Sequence, residues 1–348
     1  MMACQLAETP AACDPSRPLI QLRGLAMDRR TFLAVTAASA ATAVSPALAQ
    51  LASGRPIRLI IPLAAGGATD PYGRLIVEHM ARTLGRPVIV EHKPGGGGIV
   101  GSQFVADQPA DGNLMLLSTQ AIMAIIPSAQ RDMKWSLNDF IPLIRGVTSP
   151  LVLVANPSVP AKSLAELVAW IKQNPGKLSY SSYLAGTPSH FLGYQMNERF
   201  GLDLLHVPSK GSGFQMTDMI AGHVQFGFAQ TQSSLPFLRD GKLRAIAITD
   251  DPRSRHMPDV PTFAELGYPE FTARVWFGLF VRAGTPAPMV ETLLAAAKAA
   301  HADGDVRSKL DAQGFDMSGQ TGLELAEDIR KQSERWARLI KASGYKAD

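Results

Sequence analysis

From residue 57 onward, short apolar runs bounded by Pro or Gly alternate with longer stretches whose apolar residues recur at helical spacing. The pattern predicts strands over 58–62, 87–91 and 114–118, helices over 71–84 and 99–108, and a loop over 119–127. A β-α-β-α-β order implies a parallel sheet with helices on both faces. The apolar runs 141–144 and 151–154 lack a helical period, and the second ends at the turn signal Asn156-Pro157. They read as the chain crossing into a second unit.

That unit opens with the capping box Ser163-Leu164-Ala165-Glu166 and a helix to about 173. Strands over 178–182, 204–208, 224–229 and 243–249 follow, with helices over 189–200, 214–221 and near 234–239. Asp259-Val260-Pro261-Thr262 is expected to start another short helix, and run 275–281 to return the chain to the first unit. Helices over 287–302 and 323–342 close the sequence, the last with Leu323, Ala326, Ile329, Trp336, Leu339 and Ile340 on one face. The expected fold class is α/β and two-lobed, each lobe a mainly parallel sheet flanked by helices, joined by two crossover strands. Residues 50–150 with 276–348 form one lobe and 151–275 the other. Loops at the carboxyl ends of both sheets then line a cleft between the lobes.

Composition adds limits. The 348 residues are 46% hydrophobic and 18% charged, a globular balance. The net charge of +4 is spread out, with no basic block interleaved with aromatics, so nucleic acid is not an expected partner. Residues 1–49 read as a leader removed from the mature protein. Met27-Asp28-Arg29-Arg30-Thr31-Phe32-Leu33 resembles a twin-arginine export signal, and Ala47-Leu48-Ala49 before Gln50 fits a cleavage site. Residues 1–26 lack such a pattern, which leaves Met1 and Met27 as alternative starts. Both cysteines, Cys4 and Cys13, lie in the leader, and no His-x-x-x-His pair occurs, so neither a disulfide nor a metal site is expected. No apolar run of the mature chain is long enough to span a bilayer.

The richest stretch is 57–70, where an apolar strand ends in Pro62, then Gly66-Gly67, then a helix start that Thr69 or Asp70 can cap. A strand, a glycine turn and a helix N-terminus make an anion site, because free N–H groups and the helix dipole converge there. Ala185-Gly186-Thr187-Pro188-Ser189-His190 repeats the plan, with Thr187 and Ser189 as hydroxyl donors. Lys210 either supplies a positive charge to the cleft or is a solvated surface residue, and His190 either donates to a ligand or packs. Gly96-x-Gly98-x-x-Gly101 has the spacing of a dinucleotide fingerprint, but the next strand ends Leu116-Leu117-Ser118-Thr119, with no acid for a ribose. A close-packed turn is the better reading. No Gly-Lys-Ser/Thr cradle exists for a triphosphate. Ser189 and His190 raise a rival reading, an exported hydrolase, although no nucleophile elbow surrounds Ser189. Trp276 and Phe277 read as core or hinge packing.

Nine short motifs in order resemble the Bug family, the extracytoplasmic solute receptors of tripartite tricarboxylate transporters. They are Pro62…Gly66-Gly67…Asp70, Glu91-His92-Lys93-Pro94 with the run Gly95 to Gly98, Asp111-Gly112, Leu178-Ser179-Tyr180, Ser189-His190, His206-Val207-Pro208-x-Lys210-Gly211, Gly241-Lys242-Leu243-Arg244, Pro258-Asp259-Val260-Pro261-Thr262 and Trp276-Phe277-Gly278. The resemblance covers about residues 54–348. It implies a non-enzymatic periplasmic binding protein of the two-lobed type II kind, closing on a small carboxylate without any cofactor. The partners it implies are a membrane permease or a sensor, and the protein is expected to be a monomer. Carried onto this chain, the family's binding positions are Leu63, Ala64, Gly66, Gly67, Ala68, Thr69 and Asp70, then Gly186, Thr187, Ser189 and His190. Thr119, Gln120, Ala121 and Gln230 are looser assignments. Three departures stand out: Ala65 where the family has proline, Ser209 where it has tyrosine, and Ala229-Gln230 where an Asp-Asn-like pair is usual. The last removes a partner for a ligand ammonium and lowers acidic amino acids relative to plain carboxylates.

Overall fold

A computed structural model describes residues 55–130 and 133–346. The expected leader, the twin arginine and both cysteines lie outside the described residues. The first strands are β1 (Ile57–Ile61), β2 (Val88–His92) and β3 (Leu114–Thr119), which pair in parallel with β1 in the middle. Between them run α1 (Thr69–Leu84) and α2 (Ile99–Asp107). Helix α1 forms because Tyr72, Ile76, Val77 and Met80 recur on one face and are all buried against the sheet.

The expected loop over 119–127 is helical instead. A π-helical turn (Ala121–Ile125) runs into α3 (Ile126–Ala129). Ile122, Met123, Ala124 and Ile125 are all buried, so no polar period exists to reveal the helix. The two apolar runs near 140–155 are one strand, β4 (Phe140–Ala155). Its first part pairs antiparallel with β9 (Arg274–Arg282), and its last five residues pair antiparallel with β7 (Phe226–Gln230). Strand β8 (Arg244–Ile248) lies on its other flank.

Strand β7 continues in parallel to β5 (Leu178–Ser182), and β5 to β6 (Leu204–Pro208). Around this second sheet lie α4 (Leu164–Lys172), α5 (Pro188–Phe200), α6 (Ser212–Ile220) and α7 (Thr231–Arg239). The Ser163 cap is present, its hydroxyl accepting from the Glu166 N–H at 3.3 Å. The segment after Asp259 makes turns rather than a helix, followed by a 3-10 turn at Pro269–Phe271. Strand β9 then rejoins the first sheet between β3 and β4, antiparallel to both.

The chain closes with α8 (Ala287–Ala302), α9 (Gly304–Ala312), a two-residue strand β10 (Asp316–Met317) on β4, and α10 (Gly322–Ser343). The sequence pattern gives no sign of α9 and β10. Helix α10 buries Leu325, Ile329, Trp336 and Ile340, while Leu323 is 90% exposed. With the helix starting at Gly322, Leu323 falls half a turn from the buried stripe and drops out of the expected face.

The glycine run before α2 is a packing device. A Cβ on Gly101 would sit 2.6 Å from Pro62 Cβ and 2.7 Å from the Lys93 carbonyl oxygen, neither of which can yield. The Gly96-x-Gly98-x-x-Gly101 spacing thus lets α2 press against the end of β1, as a close-packed turn requires.

Candidate functional site

The carboxyl ends of the parallel strands surround a cavity of about 390 Å³. Leu63, Ala64, Ala65, Gly66, Gly67, Ala68 and Thr69 follow β1 into its wall. Thr119, Gln120, Ala121 and Ile126 come from the end of β3, and Gly97 from the turn before α2. The opposite wall holds Tyr183, Leu184, Ala185, Gly186 and Thr187 after β5, and Lys210, Gly211, Ser212, Gly213, Phe214 and Thr217 after β6. Gln230 at the end of β7, with Val275, Trp276 and Phe277 of β9, completes it. The two sides approach closely: a Cβ on Gly213 would lie 3.9 Å from the Gly66 carbonyl oxygen.

The residues named from sequence divide into two sets. Leu63, Ala64, Gly66, Gly67, Ala68, Thr69, Thr119, Gln120, Ala121, Gly186, Thr187, Lys210 and Gln230 line this cavity together. Asp70, Ser189 and His190 do not. Thr69 and Asp70 are the first residues of α1 rather than its cap; the N-cap is Ala68 and has no side-chain bond. The Asp70 carboxylate turns back and accepts the Gly66 N–H at 3.4 Å. It also lies 2.9 Å from His92 Nε2 and 3.1 Å from Arg74 Nε. The other His92 nitrogen is 3.0 Å from the Leu63 carbonyl oxygen. Burial pushes the Asp70 carboxyl up, but the bonds from Arg74 and Gly66 and the charges of Arg74 and His92 outweigh it and hold it below the usual carboxylate range. Asp70 and His92 therefore brace the first loop from behind.

The second loop is braced in the same way. Thr187 Oγ1 donates to the Leu184 carbonyl at 2.6 Å, and Ser189 Oγ to the Phe228 carbonyl at 2.5 Å. Neither hydroxyl hydrogen is left for a ligand, contrary to expectation, because both are spent on backbone oxygens of the loop and of β7. Ser189 is wholly buried, and the hydrolase reading loses its nucleophile. His190 Nδ1 accepts the Gly186 N–H at 3.2 Å, which puts its own proton on Nε2. Its ring stacks on His206 with centroids 3.9 Å apart and planes 7° from parallel. Ser182 Oγ lies 2.8 Å from His206 Nε2 while donating to the Leu184 carbonyl.

The cavity's electrostatics are simple. Lys210 is the sole charged residue among those lining it. The helices that begin at its wall, α1, α5, α6 and α7, have no side-chain cap. Their leading N–H groups and dipoles present positive potential to the space between them. Two wall residues carry orphaned buried atoms. Thr69 Oγ1 and Gln120 Oε1 have no partner in the protein, with the residues only 3% and 5% exposed. Among the described residues no group of His, Cys, Asp or Glu is arranged to hold a metal ion.

Residues 73–345 match the model of the tripartite tricarboxylate transporter family receptor. The chain belongs to this receptor family. BugT of Bordetella pertussis is 33% identical over 332 residues, covering 92% of this chain and 99% of that protein. A structure described as a periplasmic transporter shares 36% identity over 84% of this chain and 98% of its own, with a TM-score of 0.79. Rpa4515 of R. palustris with adipate shares 27% identity over 83% and 97%, with a TM-score of 0.79. MatC of Rhodopseudomonas palustris with bound malate shares 29% over 82% and 99%, with a TM-score of 0.77. Family and neighbours are receptors and binding proteins rather than enzymes. No helix among the described residues is long and apolar enough to cross a membrane.

In this receptor several wall residues were not singled out from sequence. Ser212 and Thr217 on α6 follow the Lys210-Gly211 turn, and Ser212 directly after that turn is the signal that could have flagged the first of them; the five-residue spacing to Thr217 marks no common helix face. Tyr183 and Phe214 carried none. Trp276 and Phe277 are 2% exposed and serve as both core and wall.

The histidine stack makes the receptor acid-sensitive. Burial pushes His190 down to about 4 and, with the charge of His190 adding to burial, His206 down to about 3. In the unfolded chain both titrate near 6.5. Between those values the unfolded state binds more protons, so the stability they support is full above about pH 6.5 and is lost as pH falls. The unfolding midpoint is expected to drop between about pH 7 and pH 4.5, and His206→Phe, which keeps the stack, to drop less. Identical pH profiles for the two proteins would contradict a buried neutral pair.

Proposed function

We propose that this chain is a periplasmic receptor that binds a small organic carboxylate in the cavity and presents it to a membrane permease. The carrying observation is the cavity's charge pattern: four uncapped helix starts and Lys210, with no carboxylate in the lining. Such a site holds an anion through neutral donors and one cation, without a buried counter-ion. Its relatives with adipate and with malate support the ligand class. The two halves, 50–150 with 276–348 and 151–275, act as lobes that close over the ligand, with β4 and β9 as the crossings. We further propose a monomer exported by the twin-arginine route, with mature residues beginning at Gln50.

Thr69 gives the reading a specific test. Its hydroxyl has no protein partner and is covered in the structure, so rotation about χ1 is what would turn it toward a carboxylate at the start of α1. Thr69→Val is expected to weaken carboxylate binding in calorimetry by about 1–2 kcal/mol, with the unfolding midpoint unchanged or raised. A lowered midpoint with unchanged affinity would make Thr69 a structural residue and remove it from the site.

A further inference from the structure

The cavity lining holds two amide side chains, Gln120 and Gln230, and they differ in what holds them. Gln120 donates from Nε2 to Gln332 Oε1 at 2.6 Å, and that oxygen also takes the Trp276 Nε1 proton at 3.0 Å, so the Gln120 amide has one orientation. The Gln230 amide has no hydrogen-bond partner among the described residues. Neither its Oε1 nor its Nε2 is a covered orphan like Gln120 Oε1. Gln230 is 7% exposed and lines the cavity, so the surface it keeps, amide included, opens into that space. Its backbone is fixed: it ends β7, pairs with Leu151 of β4, and its carbonyl accepts the Ser234 hydroxyl of α7 at 3.1 Å. A rigid strand end thus presents an amide that is free to turn about its last bond.

An untied amide offers either of its ends. Turned one way, its NH2 donates to a carboxylate or a carbonyl; turned the other, its oxygen accepts from a hydroxyl or an amide N–H. The stronger bond to an ionised carboxylate is offset by the greater cost of stripping water from it. On the carboxylate reading above, the first carboxylate sits where the starts of α1 and α6 meet at Gly66 and Gly213, with Lys210 just ahead of α6. Gln230 belongs to neither loop and is left for the other end of the ligand. We infer that Gln230 is a specificity determinant that makes the receptor tolerant at one end: it takes carboxylates whose far end bears a polar group, ionised or neutral, and discriminates against a bare alkyl end. This inference rests on the carboxylate reading.

Four acids of one chain length test it, titrated calorimetrically into the mature receptor: adipate, 6-hydroxyhexanoate, adipamate and hexanoate. In the wild type the first three are expected to bind within about threefold of one another, and hexanoate about tenfold more weakly. Gln230→Met keeps the length and removes the hydrogen bonds. All four acids are then expected to bind as hexanoate does, with the unfolding midpoint unchanged because no protein bond is lost. Gln230→Glu presents only acceptors and is expected to weaken adipate about tenfold more than 6-hydroxyhexanoate. Four results would each overturn the inference while leaving the carboxylate reading standing: hexanoate equal to the others in the wild type, a wider spread among the three polar-ended acids, a polar-end advantage that survives Gln230→Met, or equal losses of adipate and 6-hydroxyhexanoate in Gln230→Glu. Binding of none of the acids overturns that reading, and the inference with it.

Discussion

Lys210→Glu is expected to weaken adipate binding about a hundredfold without moving the unfolding midpoint. Lys210 is the one charged group in the cavity lining. A unit charge about 5 Å from an anion contributes about 1.5 kcal/mol at an effective dielectric between those of protein and water, and reversal counts it twice, about 3 kcal/mol. Lys210→Met removes only the first step, for a loss of about tenfold. Because the lysine is exposed, added salt should narrow the gap between wild type and variant. Wild-type affinity in Lys210→Glu would place the anion away from this side of the cavity. The lysine would then be the solvated surface residue that its sequence context equally allowed.

Gly146→Ala is expected to destabilise the fold by about 3 kcal/mol or more, the largest stability effect we anticipate. Gly146 lies in β4 at a shift of its register against β9. A Cβ there would overlap Tyr72 Oη and His301 Nε2, which are 2.9 Å apart in the buried bond linking α1 to α8. His301 is fixed from its other nitrogen, 2.7 Å from the Ala297 carbonyl, so neither group can retreat. Overpacking costs about 1–3 kcal/mol, and breaking the buried tyrosine–histidine bond adds about 1–3 kcal/mol. Tyr72→Phe in the Gly146→Ala background removes the clashing oxygen and should recover part of the loss in denaturant unfolding. An alanine variant as stable as wild type would show that β4 is not wedged against this pair.

Strands and helices bounded by Gly or Pro were legible from sequence. Strands β5 and β6 and helix α8 occupy the residues their patterns mark, because Gly or Pro stands at a boundary of each. The 121–129 segment was not legible, since a helix buried on all sides has no polar face to set its period. The order of the site loops followed from the strand–turn–helix plan and the family resemblance. What each polar side chain does there did not follow. Ser189 meets the carbonyl of Phe228, 39 positions away, and Gln120 is oriented by Gln332, 212 positions away. Local sequence shows that a hydroxyl or amide is present, and only the tertiary fold decides whether it faces a ligand or a carbonyl. The same holds for Asp70, whose place at a helix start suggests a cap but whose carboxylate reaches back to Gly66.

The central claim is that the cavity binds an anion and leaves it unchanged. Calorimetric titration of the mature receptor with adipate and with adipamide, matched in size and differing in charge, tests this most directly. The acid is expected to saturate a single site and to be recovered chemically intact, while the amide gives no binding heat. Equal affinity for the amide, or recovery of a converted product, would contradict it.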